Sequence, residues 1–139
     1  MTSRISHTTI DSRDAYAQSQ WWNQVLGYTD VSGDPNLPGH VECMIVPPAD
    51  HDTPAESHGH LLFIEVPEPK EIKNRLHLDL RPTDRTRDEE LERLLGLGAT
   101  VVADRRTPEG GGWVVLADPE GNEFCILRST AELQAAGLA

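Results

Sequence analysis

Leu26-Gly27-Tyr28-Thr29-Asp30-Val31 and Leu97-Gly98-Ala99-Thr100-Val101-Val102 repeat one pattern seventy-one positions apart. In each copy a leucine and a glycine close a helical stripe, and β-branched residues then begin a strand. An internal repeat is a fold-level signal, and two copies in 139 residues imply one duplicated fold. His7 and His77 stand seventy positions apart, each expected mid-strand ahead of its own helix.

Working outward, each half reads strand, helix, strand, strand, strand. In the first half the alternation of Arg4 to Asp11 predicts a strand. A helix follows to Leu26, capped by Asp11 or Ser12, with Ala15, Trp22 and Leu26 on one stripe and Gly27 as its stop. Strands are expected at 28–31, 41–46 and 61–66, with a polar loop at 50–59 that carries His51 and His58. Pro67-Glu68-Pro69 ends this half. In the second half Arg75 to Arg81 alternates, with Leu76, Leu78 and Leu80 on an apolar face and Arg75, His77, Asp79 and Arg81 on a polar one. Thr86-Arg87-Asp88-Glu89 matches a capping box, and Leu91, Leu94 and Leu95 give the helix stripe. Strands are expected at 99–103, 113–117 and 123–128, then a short helix over 131–136 capped by Ser129 or Thr130. The triple glycine 110–112 reads as a flexible hairpin loop. A half of about 65 residues buries little core alone, so the halves are expected to pair. The fold class is α+β, with modules at 1–69 and 70–139 forming a single domain.

Twelve basic against 23 acidic residues give a formal charge of −11. Phosphate backbones need a basic face, so nucleic acid is not an expected partner. No apolar run reaches the roughly 20 residues of a membrane helix. Two cysteines make no disulfide framework and the start is too polar for a secretory signal, so the expected compartment is the cytoplasm.

The chemistry-bearing stretch is Asp118-Pro119-Glu120-Gly121-Asn122-Glu123-Phe124-Cys125-Ile126-Leu127, a turn feeding a strand. Glu123 stands at the mouth of the apolar run, where a carboxylate must be paired, solvated or metal-bound. Two histidines from equivalent strands plus this carboxylate make a facial triad suited to Fe(II), and less selectively to Mn, Zn or Ni. Three protein ligands leave positions open for water and substrate. Asp79 and Arg75 share the face of His77 and are candidates to support it. The plainer alternatives are a solvated His77, a hydrogen-bonded His7, and a Glu123 paired with Arg105 or Arg128. Cys125 reads as a small core residue, and Trp21-Trp22 as helix packing.

Lys73-Asn74-Arg75-Leu76-His77-Leu78-Asp79-Leu80-Arg81, Leu97-Gly98-Ala99-Thr100 and Val115 through Leu127 resemble the vicinal-oxygen-chelate superfamily, and within it the glyoxalase-like proteins. The resemblance implies two paired βαβββ modules forming a cup-shaped mixed sheet, with a divalent metal at its base. It implies metal ligands at His7, His77 and Glu123, a catalytic role for Glu123, and a homodimer. Glyoxalase I enzymes place a further carboxylate on the last strand of the first module. Here that strand reads His60-Leu61-Leu62-Phe63-Ile64-Glu65-Val66, with no carboxylate at its start. The set left over is closer to the extradiol dioxygenases of the superfamily. Two functions follow as expectations. One is a metal-dependent isomerase, lyase or dioxygenase acting on a small oxygen-chelating substrate. The other is a non-catalytic binder of the bleomycin-resistance type, for which a cationic ligand and tryptophan stacking would suit the charge.

Overall fold

The computed structural model describes residues 1–139 and divides the chain into two units, Met1–Pro69 and Lys70–Ala139. In the first, β1 (Thr8–Ser12) leads to α1 (Ala15–Leu26), then β2 (Thr29–Asp30), β3 (Glu42–Val46) and β4 (Leu61–Glu65). In the second, β5 (Leu78–Leu80) leads to α2 (Arg87–Gly96), then β6 (Thr100–Asp104), β7 (Val114–Ala117), β8 (Glu123–Ile126) and α3 (Thr130–Ala135). Each unit holds one four-stranded mixed sheet, ordered β1-β4-β3-β2 and β5-β8-β7-β6. The architecture is α+β. In both sheets the first strand runs parallel to the last, and the remaining pairs are antiparallel. A parallel pair needs a long crossover, which the helix and the two intervening strands supply.

Packing follows the helix stripes. Ala15, Trp22 and Val25 bury the inner face of α1, which packs on β3 and β4. Cys43 and Ile45 of β3 lie opposite Phe63 and Leu61 of β4, and all four are buried. In the second unit Leu91 and Leu94 of α2 are buried, and the helix packs on β8. Leu116 lies opposite Phe124 and Val114 opposite Ile126, again all buried. Trp21 meets Trp22 edge to face with ring centroids 5.3 Å apart, as expected of helix packing.

Local signals held at most helix ends. Thr86 and Glu89 form the reciprocal capping box of α2, and Ser129 with Glu132 forms another at α3. Gly27 ends α1 at φ 65°, a left-handed conformation that a residue with a Cβ resists. Asp14, not Asp11 or Ser12, caps α1 by accepting from the Ala17 N–H. Ser12 is instead the last residue of β1, buried in the sheet.

Further expectations are corrected. The strand expected over 4–11 runs instead over Thr8–Ser12, where β4 supplies partners, so His7 precedes it. The strand expected over 75–81 is confined to Leu78–Leu80, because only those residues have partners on β8. Leu76 therefore lies outside the apolar face and is 89% exposed. The triple glycine is not a free hairpin. The buried Arg87 side chain donates from Nη1 to the carbonyls of Gly110, Gly111 and Gly112 at 3.3, 2.6 and 3.0 Å. At Gly112, φ is 76° and an added Cβ would stand 2.0 Å from the Arg105 carbonyl oxygen.

Candidate metal centre

His77 immediately precedes β5, and Glu123 opens β8. The parallel register pairs Leu78 with Phe124. One step earlier on the same two strands stand His77 and Glu123, on the face opposite Leu78 and Phe124. Alternation puts Asp79 and Cys125 on that face too, and they pair in register.

The imidazole of His77 is held from one side. Its Nδ1 lies 3.2 Å from Oδ1 of Asp79 and 3.8 Å from Sγ of Cys125. His77, Asp79 and Cys125 each bring one potential ligand atom within 4.8 Å of the others. With Nδ1 so engaged, Nε2 is the nitrogen left for a metal, the arrangement in which a carboxylate fixes tautomer and ring orientation. Burial, with help from the Asp79 carboxylate, pushes the Cys125 thiol up to about 11. The free thiol is therefore protonated and inert. Asp79 thus takes the supporting place expected of it. Arg75 stays exposed.

Glu123 is held at both its backbone and its side chain. Its N–H donates to Oδ1 of Asn74 at 3.1 Å, in place of the ladder bond that a longer β5 would have supplied. Its Oε2 accepts from the Lys73 ammonium at 2.5 Å. The plainer alternative of an ion pair holds, but with Lys73 and not Arg105 or Arg128. Lys73 and Asn74 carried no periodic signal, since they precede the strand.

The first unit repeats the arrangement with different chemistry. His7 immediately precedes β1, and His60 immediately precedes β4. Thr8 pairs in parallel with Leu61, so His7 stands to His60 as His77 stands to Glu123. The two rings stack, with centroids 5.0 Å apart and 19° between planes. His60 is buried at 3% exposure, and its Nδ1 has no hydrogen-bond partner. Burial, and then the neighbouring His7, pushes its pKa below the ordinary imidazole value, so the ring is neutral at pH 7. A buried, neutral imidazole nitrogen without a partner is unusual and is the kind of atom that a cation satisfies. The donor chemistry of both units thus fits a divalent ion: neutral imidazole nitrogens, and carboxylates beside one of them. The other three histidines stand apart from both pairs. His40 accepts the Leu37 N–H through Nδ1 at 3.3 Å. His51 bonds the Pro48 carbonyl oxygen through Nδ1 at 2.7 Å, and His58 is exposed.

Comparison with known proteins gives the family and the fold. A family model described as a glyoxalase-like domain matches residues 7–127. No curated protein sequence matches the chain. Among solved structures, the fosfomycin resistance protein FosX from Mesorhizobium loti is 17% identical, covers 98% of this chain and 99% of its own, and superposes with a TM-score of 0.64. FosX from Listeria monocytogenes, solved with Mn(II) and dihydroxypropylphosphonic acid, is also 17% identical over 98% and 99%, with a TM-score of 0.65. A glyoxalase/bleomycin resistance protein/dioxygenase family enzyme from Burkholderia phytofirmans is 23% identical over 89% and 97%, with a TM-score of 0.60. At these identities the likeness is one of fold.

Proposed function

Because the chain belongs to the glyoxalase-like domain family, we propose that it is a divalent-metal-dependent enzyme acting on a small substrate with two neighbouring oxygens. His77 and Glu123 are the ligands from the second unit. His7, of this chain or of a second copy, is the third. The observation that supports this reading is the His77 ring, engaged through Nδ1 by Asp79 so that Nε2 is the nitrogen left for an ion, with Glu123 one register step before Phe124 on the neighbouring strand. The bound ion would supply Lewis acidity toward the two substrate oxygens and stabilise negative charge that develops there.

The protein's own groups do the rest. Asp79 holds the His77 tautomer. Asn74 anchors the start of β8 through the Glu123 amide. Glu123, 13% exposed in its side chain, would also take or return a substrate proton. Manganese is the first metal to try, since the FosX structure from Listeria monocytogenes holds Mn(II). Isomerisation, lyase chemistry and oxygen insertion are all compatible with this set. A substrate panel should therefore include fosfomycin, catechols and α-hydroxy carbonyl compounds.

The test is metal analysis of protein purified without a histidine tag, repeated on His77→Ala and Glu123→Ala. About one equivalent of metal in the wild type, lost in both variants, is the expected result. Metal content unchanged in His77→Ala overturns the assignment. No metal uptake at all, with saturable quenching of tryptophan fluorescence by a cationic glycopeptide, points instead to a bleomycin-resistance type binder.

A further inference from the structure

Lys73 is the only cation hydrogen-bonded to Glu123, and it makes the contact from an unusual position. Its Nζ lies 2.5 Å from Oε2, while the lysine side chain is 72% exposed and that of Glu123 only 13%. The carboxylate is thus mostly withdrawn from water, and its partner comes from outside. A half-buried carboxylate with no counter-ion is costly. An exposed ammonium on a flexible four-carbon stem is cheap to release, because surface pairs of this kind are weak. The next residue keeps the lysine in reach, since Asn74 accepts the Glu123 N–H at 3.1 Å and ties this segment to the start of β8.

We propose that Lys73 is the resident counter-cation of Glu123, a group that a divalent ion must displace on binding and that therefore sets the metal affinity of the centre. This rests on the metal-binding reading of Glu123 given above. In the metal-free protein the ammonium neutralises the carboxylate. On binding a doubly charged ion, Glu123 would exchange one positive partner for another, and the Lys73 ammonium would return to solvent. The exchange makes binding weaker than an unmasked carboxylate would allow. A purely structural lysine would act in the opposite sense, because its loss would loosen Glu123 and weaken metal binding.

The two senses are separated by titrating Mn(II) into wild type, Lys73→Met, Lys73→Arg, Lys70→Met and His77→Ala, with free Mn(II) followed by electron paramagnetic resonance. Lys73→Met keeps the stem and removes the charge. It is expected to bind Mn(II) about threefold or more tightly than wild type, the scale of a lost surface ion pair and a charge removed next to the ion. Lys73→Arg keeps the charge and should stay near wild type. Lys70 bonds the Ile72 carbonyl oxygen instead, so Lys70→Met should change affinity little. Equal or weaker binding by Lys73→Met overturns the proposal while leaving the metal centre intact. An equal gain in Lys70→Met also overturns it, by showing a general effect of net charge. Failure of His77→Ala to reduce Mn(II) binding, or no binding by wild type, removes the metal centre itself and the proposal with it.

Discussion

Nδ1 of His77 stands 3.2 Å from Oδ1 of Asp79, two residues along the same strand edge. Both side chains are about half exposed, so the pair contributes little to stability. Its value lies in direction, because it decides which ring nitrogen carries the proton. Asp79→Ala is expected to lower Mn(II) affinity by about 10- to 100-fold, the usual effect of losing a carboxylate behind a ligating histidine. The thermal midpoint should barely move. A wild-type metal affinity in Asp79→Ala would show that the carboxylate does not orient the ring.

Arg87 joins the start of α2 to the glycine loop through three carbonyls, with its side chain only 4% exposed. Its loss would leave three part-buried carbonyls without their common donor. Arg87→Met is expected to cost about 2–3 kcal/mol in urea unfolding, and to expose the chain around Gly110 to protease. Equal stability and unchanged cleavage would mean that water replaces the guanidinium at no cost.

Glu132 ties the start of α3 to the start of α2. Its Oε2 accepts from the N–H groups of Ser129 at 2.7 Å and Arg87 at 2.8 Å. Burial works to raise its pKa, but these donors outweigh it and hold the carboxyl below its ordinary 4.5. A folded pKa below the unfolded one gives stability that is complete above the unfolded value and is lost as pH falls through the folded one. Glu132→Ala should therefore cost about 1 kcal/mol at neutral pH. The gap to wild type should stay constant above the ordinary 4.5 and shrink as pH falls below it through the depressed folded value. A gap that persists in acid would assign the effect to packing.

The edge strand β6 carries Val101 at 50% exposure and Val102 at 48%, and Trp113 beside β7 is 45% exposed. Apolar residues along a sheet edge invite pairing with another chain. A homodimer is the expected state, with a sedimentation mass twice the 15.4 kDa of one chain. Val102→Glu should shift it toward monomer. A wild-type mass of one chain at micromolar concentration would refute the dimer.

The sequence by itself determined the duplicated βαβββ order, the helix stripes, the capping box of α2 and the equivalent placement of His7 and His77. These are written in periods of 2 and 3.6, in glycine stops and in a repeat, all of them local signals. Only the tertiary structure decided who stands beside whom. Periodicity assigns His77 and Glu123 to faces, but strand register brings them side by side across forty-six positions of chain. It set His60 in the first unit where Glu123 stands in the second, and it left Leu76 outside a strand too short to include it. Lys73, Asn74 and Arg87 carry no pattern of their own. Their roles come from reaching groups distant in sequence, and no local propensity encodes such a contact.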